Sequence, residues 1–596
     1  MAAPETATES ATDVVWDLAD LLGGRTVDAL LDEAVARAEG VASCRGRVAD
    51  LDAGELSGVM AEMAAISELA GRAGSFANLQ FAADTSLPAH GALLQKVEER
   101  STELETLLLF FELEWAEMDD ERVAGVLADG RLGPYRHHLE AARRYRPHLL
   151  SEPEEKVLAE KAVTGRKAWA RLFDELTSAI TVELDGETLP LDSALARLDT
   201  TDRDERRRIA GAVTSGLAPG LRTRAYLYNT LLGDKATDDR LRHYPHWLAS
   251  WNLAQEASDA SVEALVSAVR DRYGIAQRWY ALKARLMGIP RLADYDRNAP
   301  VTESNERFSW EEARQIVEDG YRSFSTELAD LVHRFFENRW IDAPVRPGKA
   351  PGAFCDYTVP SVHPYVLVNF TARRDDVLTL AHELGHGVHG TLAARQGIFH
   401  QQTPLTLAET ASVFGETVIF GRLLSSVDDA NTRLGLLADN LDGAVATVFR
   451  QTAMNQFEHL VHVARREEGE LDIDRFGRAW AESQAEMLGD AVEITEGYRT
   501  WWSYIPHFIH TPGYVYAYAY GQLLALSVYR RYEERGPDFV PKYVELLSMG
   551  ASMWPEELAR IVDCDLADPG FWDGGLDIIE HRLVEAEEAA RQAGRI

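Results

Sequence analysis

Hydrophobic residues recur at the spacing of three or four that is typical of amphipathic helices along most of the chain. Residues 14–177 form one such segment after another, and 107–115 and 154–176 are clear examples. The same pattern returns over residues 202–286 and again over residues 375–591. The sequence therefore predicts a mainly α protein.

Two short stretches change to the alternation that is typical of β-strands. The first, Thr181–Leu189, has Asp185-Gly186 at its centre, which indicates a hairpin turn. The second consists of Gly352–Val359 and Tyr365–Phe370, with a proline-bounded segment between them. We therefore expect one small hairpin and one small sheet, the latter directly before the helical pattern that begins at residue 375.

Composition limits the class of partner. The chain has 596 residues, of which 46% are hydrophobic and 26% are charged, as in ordinary globular proteins, and its length favours two or three lobes. The net charge is −35, which disfavours nucleic acid and anionic membranes as partners because both are negatively charged. We therefore expect neither a nucleic acid nor a membrane partner.

Cysteine usage and the N-terminal sequence bear on location. Cys44, Cys355 and Cys564 lie far apart and no CxxC occurs, which favours a reducing compartment. The first residues show neither the basic nor the apolar region of a signal peptide, and no run of 18 apolar residues occurs. The expected location is the cytoplasm.

The segment His382-Glu383-Leu-Gly-His386 carries the clearest candidate chemistry. On a helix, two histidines four residues apart share one face, and together they can bind a single Zn²⁺ ion. Glu383 can take the proton of a water molecule that the ion activates. The alternative is a helix with two ordinary surface or core histidines.

Glu409 is the candidate third ligand, in a second segment with helical pattern. Thr406 and Glu409 also form a T-x-x-E pattern, which is typical of a capping box and needs no metal, so the residues alone leave both interpretations open. Glu416, seven residues further, lies on the same face and is expected to support a ligand or to be solvated. His389 is expected to play a supporting role, because a catalytic metal needs one position left for water.

Residues 382–389, His-Glu-Leu-Gly-His-Gly-Val-His, and 408–416, Ala-Glu-Thr-Ala-Ser-Val-Phe-Gly-Glu, resemble the M3 peptidases, and within them the oligoendopeptidase F branch, relatives of thimet oligopeptidase. The resemblance implies one Zn²⁺ per chain, with Glu409 as the third ligand and Glu383 as the general base. It also implies hydrolysis of internal bonds in short, unstructured oligopeptides. The implied fold has two helical lobes around a deep substrate channel.

Further segments carry the same resemblance. Gly352-Ala353 resembles the family's substrate-binding edge strand, and residues 505–508 and 513–519 resemble its C-terminal His/Tyr segment. The resemblance implies a catalytic role for these side chains: His507, Tyr514 and Tyr518. His510 competes with His507 for the catalytic role and is otherwise a candidate for substrate binding.

The predicted organisation has three parts. Residues 1–12 are expected to be a flexible tail, 13–204 an N-terminal helical region, and 205–590 the catalytic domain. A carboxypeptidase or dipeptidyl carboxypeptidase of the same zinc class is the nearest alternative function. A helical di-iron redox protein is the alternative from another class, because Glu383-x-x-His386 is also an E-x-x-H motif; such sites need two of these motifs, and only one occurs.

Overall fold

The computed structural model describes residues 11–302 and 306–596, except for the side chain of Leu405. Most of these residues lie in helices, so the predicted mainly α class is confirmed. The expected tail, residues 1–12, lies outside the described residues apart from its last two. Within the described part of the chain, no helix combines the length and the low polarity that crossing a bilayer requires.

The helices, in chain order, are α1 (Ala19–Leu22), α2 (Val27–Ala42), α3 (Ala53–Ala83), α4 (Pro88–Glu117), α5 (Asp120–Leu127), α6 (Arg136–Arg143), α7 (Glu152–Thr164), α8 (Arg166–Ser178), α9 (Leu191–Ala196), α10 (Arg203–Leu217), α11 (Leu221–Leu241), α12 (Ala249–Ala254), α13 (Asp259–Asp271), α14 (Tyr273–Leu286), α15 (Trp310–Phe324), α16 (Thr326–Glu337), α17 (Arg374–Ala393), α18 (Leu405–Ser425), α19 (Ala430–Ala444), α20 (Gln451–Glu467), α21 (Ile473–Leu488), α22 (His507–His510), α23 (Tyr516–Arg535), α24 (Val540–Ser548), α25 (Pro555–Ile561) and α26 (Pro569–Gln592).

The strands are β1 (Thr181–Leu184), β2 (Glu187–Pro190), β3 (Leu292–Ala293), β4 (Ile341–Pro344), β5 (Phe354–Asp356), β6 (Tyr365–Phe370) and β7 (Val492–Glu493).

The chain divides into two compact units, each built from three segments. Unit 1 comprises Met1–Arg146, Asn305–Leu423 and Val528–Asp565. Unit 2 comprises Pro147–Ser304, Leu424–Ser527 and Leu566–Ile596. Each unit has its own core of buried apolar side chains, centred on α2, α3 and α4 in unit 1 and on α10, α11, α20 and α21 in unit 2. Each unit can therefore bury its own apolar surface.

The predicted β elements are both present. β1 and β2 pair as an antiparallel hairpin across Asp185-Gly186, with Leu184 opposite Glu187. β5 and β6 pair antiparallel in unit 1, with Asp356 opposite Tyr365, immediately before α17. The sheet contains one further strand, β4, which pairs parallel with β6 and was not predicted because its four residues include Asp342 and Pro344.

A buried ion pair fixes the loop between β4 and β5. The Lys349 ammonium group lies 2.8 Å from Asp342 Oδ1, and both side chains are fully buried. Lys349 also donates to the carbonyl oxygens of Pro344, at 3.0 Å, and Val368, at 2.6 Å. Because one side chain joins the loop to β4 and β6, the start of β5 has a defined position at the edge of the sheet.

Candidate metal centre

Helix α17 carries both histidines of the motif. Asp376 accepts hydrogen bonds from the backbone N–H groups of Thr371, at 2.7 Å, and Arg373, at 2.8 Å, which satisfies donors at the helix start. The apolar face of α17 consists of fully buried side chains, which are those of Val377, Leu380, Ala381 and Leu384. His382 and His386 follow on one side, with ring centroids 5.0 Å apart. The sequence pattern therefore places two imidazoles one helical turn apart on a fixed support.

Helix α18 brings Glu409 to the two rings. Glu409 Oε2 lies 3.2 Å from His382 Nε2 and 3.7 Å from His386 Nε2. A tetrahedral ion with bonds of about 2.0–2.1 Å holds its ligand atoms roughly 3.3 Å apart, which fits this spacing. Among the described residues, this is the group of three or more His, Cys, Asp and Glu side chains that converges closely enough for one metal ion.

The environment of Glu409 bears on the capping-box alternative. α18 begins at Leu405, one residue before Thr406, so Thr406 lies within the first turn instead of at the N-cap position. The carboxylate of Glu409 is directed at the histidines and accepts a hydrogen bond from the Ser412 hydroxyl at 2.6 Å. This is the arrangement expected of a ligand that a neighbouring donor orients.

Two glycines allow α17 and α18 to approach closely. A Cβ atom on Gly385 would lie 2.6 Å from both the carbonyl oxygen of Ala411 and the Cα atom of Ser412. Gly415 of α18 makes room for Tyr321, whose hydroxyl donates to the carbonyl oxygen of Ala381 at 2.9 Å. The glycine inside the His-Glu-Leu-Gly-His motif therefore has a packing function: it sets the distance between the helices that carry the three candidate ligands.

Glu416 and Glu409 flank His382 on opposite sides of its ring. Glu416 Oε2 lies 3.2 Å from His382 Nδ1, while Glu409 lies at the same distance from Nε2. A carboxylate on Nδ1 fixes the orientation of the imidazole and increases the basicity of the other nitrogen. Glu416 thus contacts a candidate ligand and is not itself one of the three converging groups.

Charges around the site favour a cation. Burial by itself would lower the pKa of His382, but its hydrogen bonds to Glu409 and Glu416 outweigh burial and raise that pKa well above its usual value. Burial likewise opposes ionisation of Glu409, and the interactions with His382 and His386 overcome it, lowering the pKa of Glu409 to about 2. The two carboxylates therefore favour the protonated, positively charged form of His382. A bound metal ion would replace the added proton.

Glu383 and His386 have different protonation behaviour. Burial raises the pKa of Glu383 to about 7, and only 7% of this residue is exposed. Burial lowers the pKa of His386 to about 4, so its ring is neutral near pH 7 and has a lone pair to donate. A carboxyl group with a pKa near the working pH is suited to accepting and returning a proton.

His389 lies one turn beyond His386, where it is 3% exposed. Burial lowers the pKa of His389 to about 3, and its Nδ1 has no hydrogen-bond partner among the described residues. Its ring packs against Tyr357 with a centroid distance of 6.2 Å. His389 is therefore a neutral, buried side chain behind the candidate ligands and does not belong to the converging group.

A cavity of about 590 Å³ opens beside the three candidate ligands. Glu383 and consecutive residues of the β5 segment, from Ala353 to Tyr357, line it together with His382, His386 and Glu409. Gly352 lies just before this wall, and its carbonyl oxygen accepts from the Asn369 side chain at 2.8 Å. The edge strand and the candidate metal ligands therefore face the same space within unit 1.

The sequence-predicted His/Tyr segment forms a cluster in unit 2. His507 Nε2 lies 3.1 Å from the Tyr518 hydroxyl, and the ring of Tyr514 stacks on His507 at 5.7 Å and contacts Tyr518 at 4.9 Å. His510 points elsewhere, because its Nε2 lies 2.8 Å from Asp174 Oδ1. The structure thus groups His507, and not His510, with the two tyrosines.

Sequence reasoning missed several residues that shape the site. Tyr321 contacts α17 from 60 positions upstream along the chain, and Asn78 lines the cavity although it precedes the motif by more than 300 residues. Neither residue belongs to a local pattern. Cys355 and Asp356, which also line the cavity, lie in the stretch that resembles the family's substrate-binding edge strand, but neither was itself a predicted site residue.

Two histidines and one carboxylate that converge beside a cavity are typical of a metallopeptidase. Comparison with known proteins identifies the family. The pattern of peptidase family M3 matches residues 197–577, and a second pattern, described as oligopeptidase F, matches residues 114–181. Because the first match covers more than half of the chain, the chain belongs to peptidase family M3. It is therefore an oligopeptidase of the metallopeptidase class, and its substrates are peptides.

Individual relatives are similar over most of the chain. Group B oligopeptidase PepB of Streptococcus agalactiae is 26% identical over 521 residues, covering 86% of each chain. Oligopeptidase PepF of Bacillus subtilis is 26% identical over 562 residues, covering 91% of this chain and 82% of the relative. The crystal structure of oligoendopeptidase-F from Enterococcus faecium has the same fold, with a TM-score of 0.72 at 22% identity, covering 95% of this chain and 100% of that one.

Substitution of Gly385 tests how the helices position the ligands. Gly385→Ala introduces a methyl group 2.6 Å from the backbone of α18, so α17 and α18 must separate. We expect unit 1 to lose about 1–3 kcal/mol of stability, as overpacked cores do, and the metal bound per chain to fall. Thermal unfolding and elemental analysis measure the two effects.

Gly421→Ala is the matched control, because Gly421 also lies in α18 but has no atom within 4 Å of the added Cβ. This exposed helical position should gain up to about 1 kcal/mol in helix propensity and keep its metal. Equal metal binding by Gly385→Ala and wild type would show that the close helix approach does not set the ligand geometry.

Proposed function

We propose that this chain is a zinc-dependent endopeptidase that hydrolyses internal bonds of short, unstructured oligopeptides. One Zn²⁺ per chain is held by His382, His386 and Glu409. The observation that carries the proposal is the convergence of two imidazole nitrogens and one carboxylate oxygen at spacings of 3.2 and 3.7 Å, beside a cavity that a peptide can enter. Membership of peptidase family M3 indicates that the substrates are peptides.

The donor set fits zinc. Two neutral imidazoles and one carboxylate leave a fourth position open, as in other zinc sites that hydrolyse peptides. When bound, the ion supplies Lewis acidity, which polarises the scissile carbonyl group and increases the acidity of water. The chain's part is to hold the ligands rigidly, which the buried face of α17 and the carboxylate of Glu416 support.

Glu383 is the proposed general base. It follows His382 directly on α17, lines the cavity, and has a pKa of about 7 because it is buried. It accepts a proton from the attacking water and passes it to the amine that leaves. Among the carboxylates that line the cavity in the described part of the chain, Glu383 is the one that neighbours a candidate histidine ligand on α17.

The edge of the sheet is the proposed binding surface for the peptide backbone. β5 pairs with β6 on one side only, and no strand among the described residues pairs with its other side. An extended peptide can add to such an edge through main-chain hydrogen bonds, which are independent of sequence. We propose that Gly352 and Ala353 contact the substrate at the start of this edge.

Three side chains of unit 2 are proposed to stabilise the transition state. His507, Tyr514 and Tyr518 can donate hydrogen bonds to the oxyanion that forms on the scissile carbonyl oxygen. Burial lowers the pKa of His507, which keeps its ring neutral near pH 7. This role is inferred from the resemblance to the family and from the mutual contacts of the three residues. His510 is proposed to contact substrate rather than to catalyse, because it pairs with Asp174.

The domain bounds and the cellular location form part of the same proposal. Residues 13–204 are assigned to an N-terminal helical region and 205–590 to the catalytic domain. A cytoplasmic location is favoured by the free thiols of all three cysteines. A di-iron redox function is disfavoured, because the described residues contain a single converging group of His and carboxylate side chains.

Glu383→Gln separates metal binding from proton transfer. The amide keeps the size of the side chain but cannot accept the proton, so we expect kcat to fall by about 10²–10⁴-fold while one zinc per chain remains bound. Quenched peptides of several lengths and an unfolded protein serve as substrates. Mass spectrometry of the products locates the cleaved bonds.

Asp375→Asn, an exposed change on the same helix, is the control and should cleave like wild type. Cleavage by wild type at internal bonds of short peptides, and not of the unfolded protein, is the expected pattern. Removal of one or two residues from the C-terminus alone would instead identify a carboxypeptidase or dipeptidyl carboxypeptidase. Activity of Glu383→Gln equal to wild type would refute the role of Glu383.

Tyr518→Phe tests the proposed oxyanion donors. Loss of the hydroxyl removes a hydrogen bond that is useful mainly in the transition state, so kcat should fall by about 10²–10³-fold with little change in KM. Steady-state kinetics on one short peptide measures both constants.

Tyr516→Phe is the matched control, since Tyr516 lies two residues away and donates to Asn252 at 2.8 Å inside unit 2. It should lose about 1 kcal/mol of stability and keep its kcat. If Tyr518→Phe also kept its kcat, the catalytic assignment of this cluster would be wrong.

A further inference from the structure

Side chains on both faces of β5 border the cavity. In a strand, residues i and i+2 share a face, so Phe354 and Asp356 lie on one face and Cys355 on the other. All three line the cavity that holds Glu383 and the candidate ligands. Any peptide that pairs with the free edge of β5 therefore lies next to these side chains.

Asp356 is the one acidic side chain of the cavity wall outside the candidate metal site. The described lining residues include Glu383 and Glu409 at the metal site, and none of them is Lys or Arg. Asp356 thus places a carboxylate in a wall that offers it no cationic partner. Burial raises the pKa of Asp356, so a cationic group nearby would relieve the cost of its charge.

Local contacts hold this carboxylate in place. Oδ1 accepts hydrogen bonds from the backbone N–H of Thr358, at 2.8 Å, and from the hydroxyl of Ser75 on α3, at 3.1 Å. Asn78, also on α3 and also in the cavity wall, favours the ionised form of the same carboxyl group through its side chain. These donors orient Asp356 without neutralising it, which is how a fixed recognition group is built.

Strand pairing determines which substrate residue meets Asp356. Residues directly opposite each other on neighbouring strands point to the same face, with Cβ atoms about 4.5–5.5 Å apart, and opposite charges in such pairs attract. A basic side chain opposite Asp356 is therefore within reach of its carboxylate. The residue two positions away in the peptide lies opposite Phe354, where an apolar side chain fits.

We propose that Asp356 is a specificity-determining residue that favours peptides with lysine or arginine at the position paired with it, two residues from an apolar side chain opposite Phe354. The proposal rests on the proposed endopeptidase function and adds the chemical class of the preferred substrate. It concerns the free edge of β5 and the cavity wall, all within unit 1.

A lysine scan tests the proposed role of Asp356. Quenched peptides of one length carry Lys, Gln or Glu at each position in turn, and kcat/KM is measured with the zinc-loaded wild type and with Asp356→Asn. Asparagine keeps the acceptor oxygen for Thr358 and Ser75 and removes only the charge. At one position, wild type should prefer Lys over Gln by about fivefold and disfavour Glu, and the Lys/Gln ratio should fall to about one in Asp356→Asn.

Two further variants separate charge from structure. Asp356→Glu keeps the charge and should retain a preference for Lys. Asp330→Asn removes an exposed carboxylate of α16 that does not line the cavity, and its Lys/Gln ratios should match those of wild type. Unfolding temperature and zinc content are measured for each variant so that a folding defect is recognised.

The outcomes distinguish a failure of the proposed endopeptidase function from a failure of the proposed role of Asp356. If the zinc-loaded wild type cleaves no peptide, the proposed function fails. If wild type cleaves the peptides but Asp356→Asn changes no Lys/Gln ratio, or lowers cleavage of Lys and Gln peptides equally, the specificity proposal is overturned and Asp356 only anchors the β5 loop.

Discussion

The close approach of α17 and α18 determines where the candidate ligand atoms lie. The missing side chain of Gly385 lets the backbone of α18 come within a distance that a Cβ atom would not allow. Across this contact Glu409 meets His382 and His386, and Tyr321 ties α17 to its surroundings through the carbonyl oxygen of Ala381. The position of Glu383 follows, because it belongs to the same helical turn as His382.

Burial gives this geometry its chemical character. These side chains are only partly exposed to solvent, so Glu409 and Glu416 act strongly on His382 and favour a positive charge there. The same burial raises the pKa of Glu383 towards neutrality and keeps His386 unprotonated. A cation site, a proton acceptor and a free imidazole lone pair thus arise in one small region because its side chains are largely shielded from solvent.

The local sequence pattern predicted these helices and strands well, but it did not predict contacts between residues that lie far apart in the sequence. The helix of His382 and His386, the hairpin at Asp185-Gly186 and the strand pair before α17 all follow from spacing within about 20 residues. The residues alone leave Glu409 as either a metal ligand or a helix-capping residue. The packing of α18 on α17 brings its carboxylate to the two histidines. Asn78 reaches the cavity through tertiary packing, which one sequence does not reveal.

A titration of the metal-free chain with Zn²⁺, monitored by calorimetry, for wild type and Glu409→Gln decides whether the three converging side chains bind a metal ion. We expect wild type to bind one equivalent of Zn²⁺ and to unfold at a higher temperature, because a ligand that binds only the folded state stabilises it. Glu409→Gln should bind at least about tenfold more weakly. Absence of zinc binding by wild type, or equal affinity of the variant, would contradict the assignment of His382, His386 and Glu409 as the metal site.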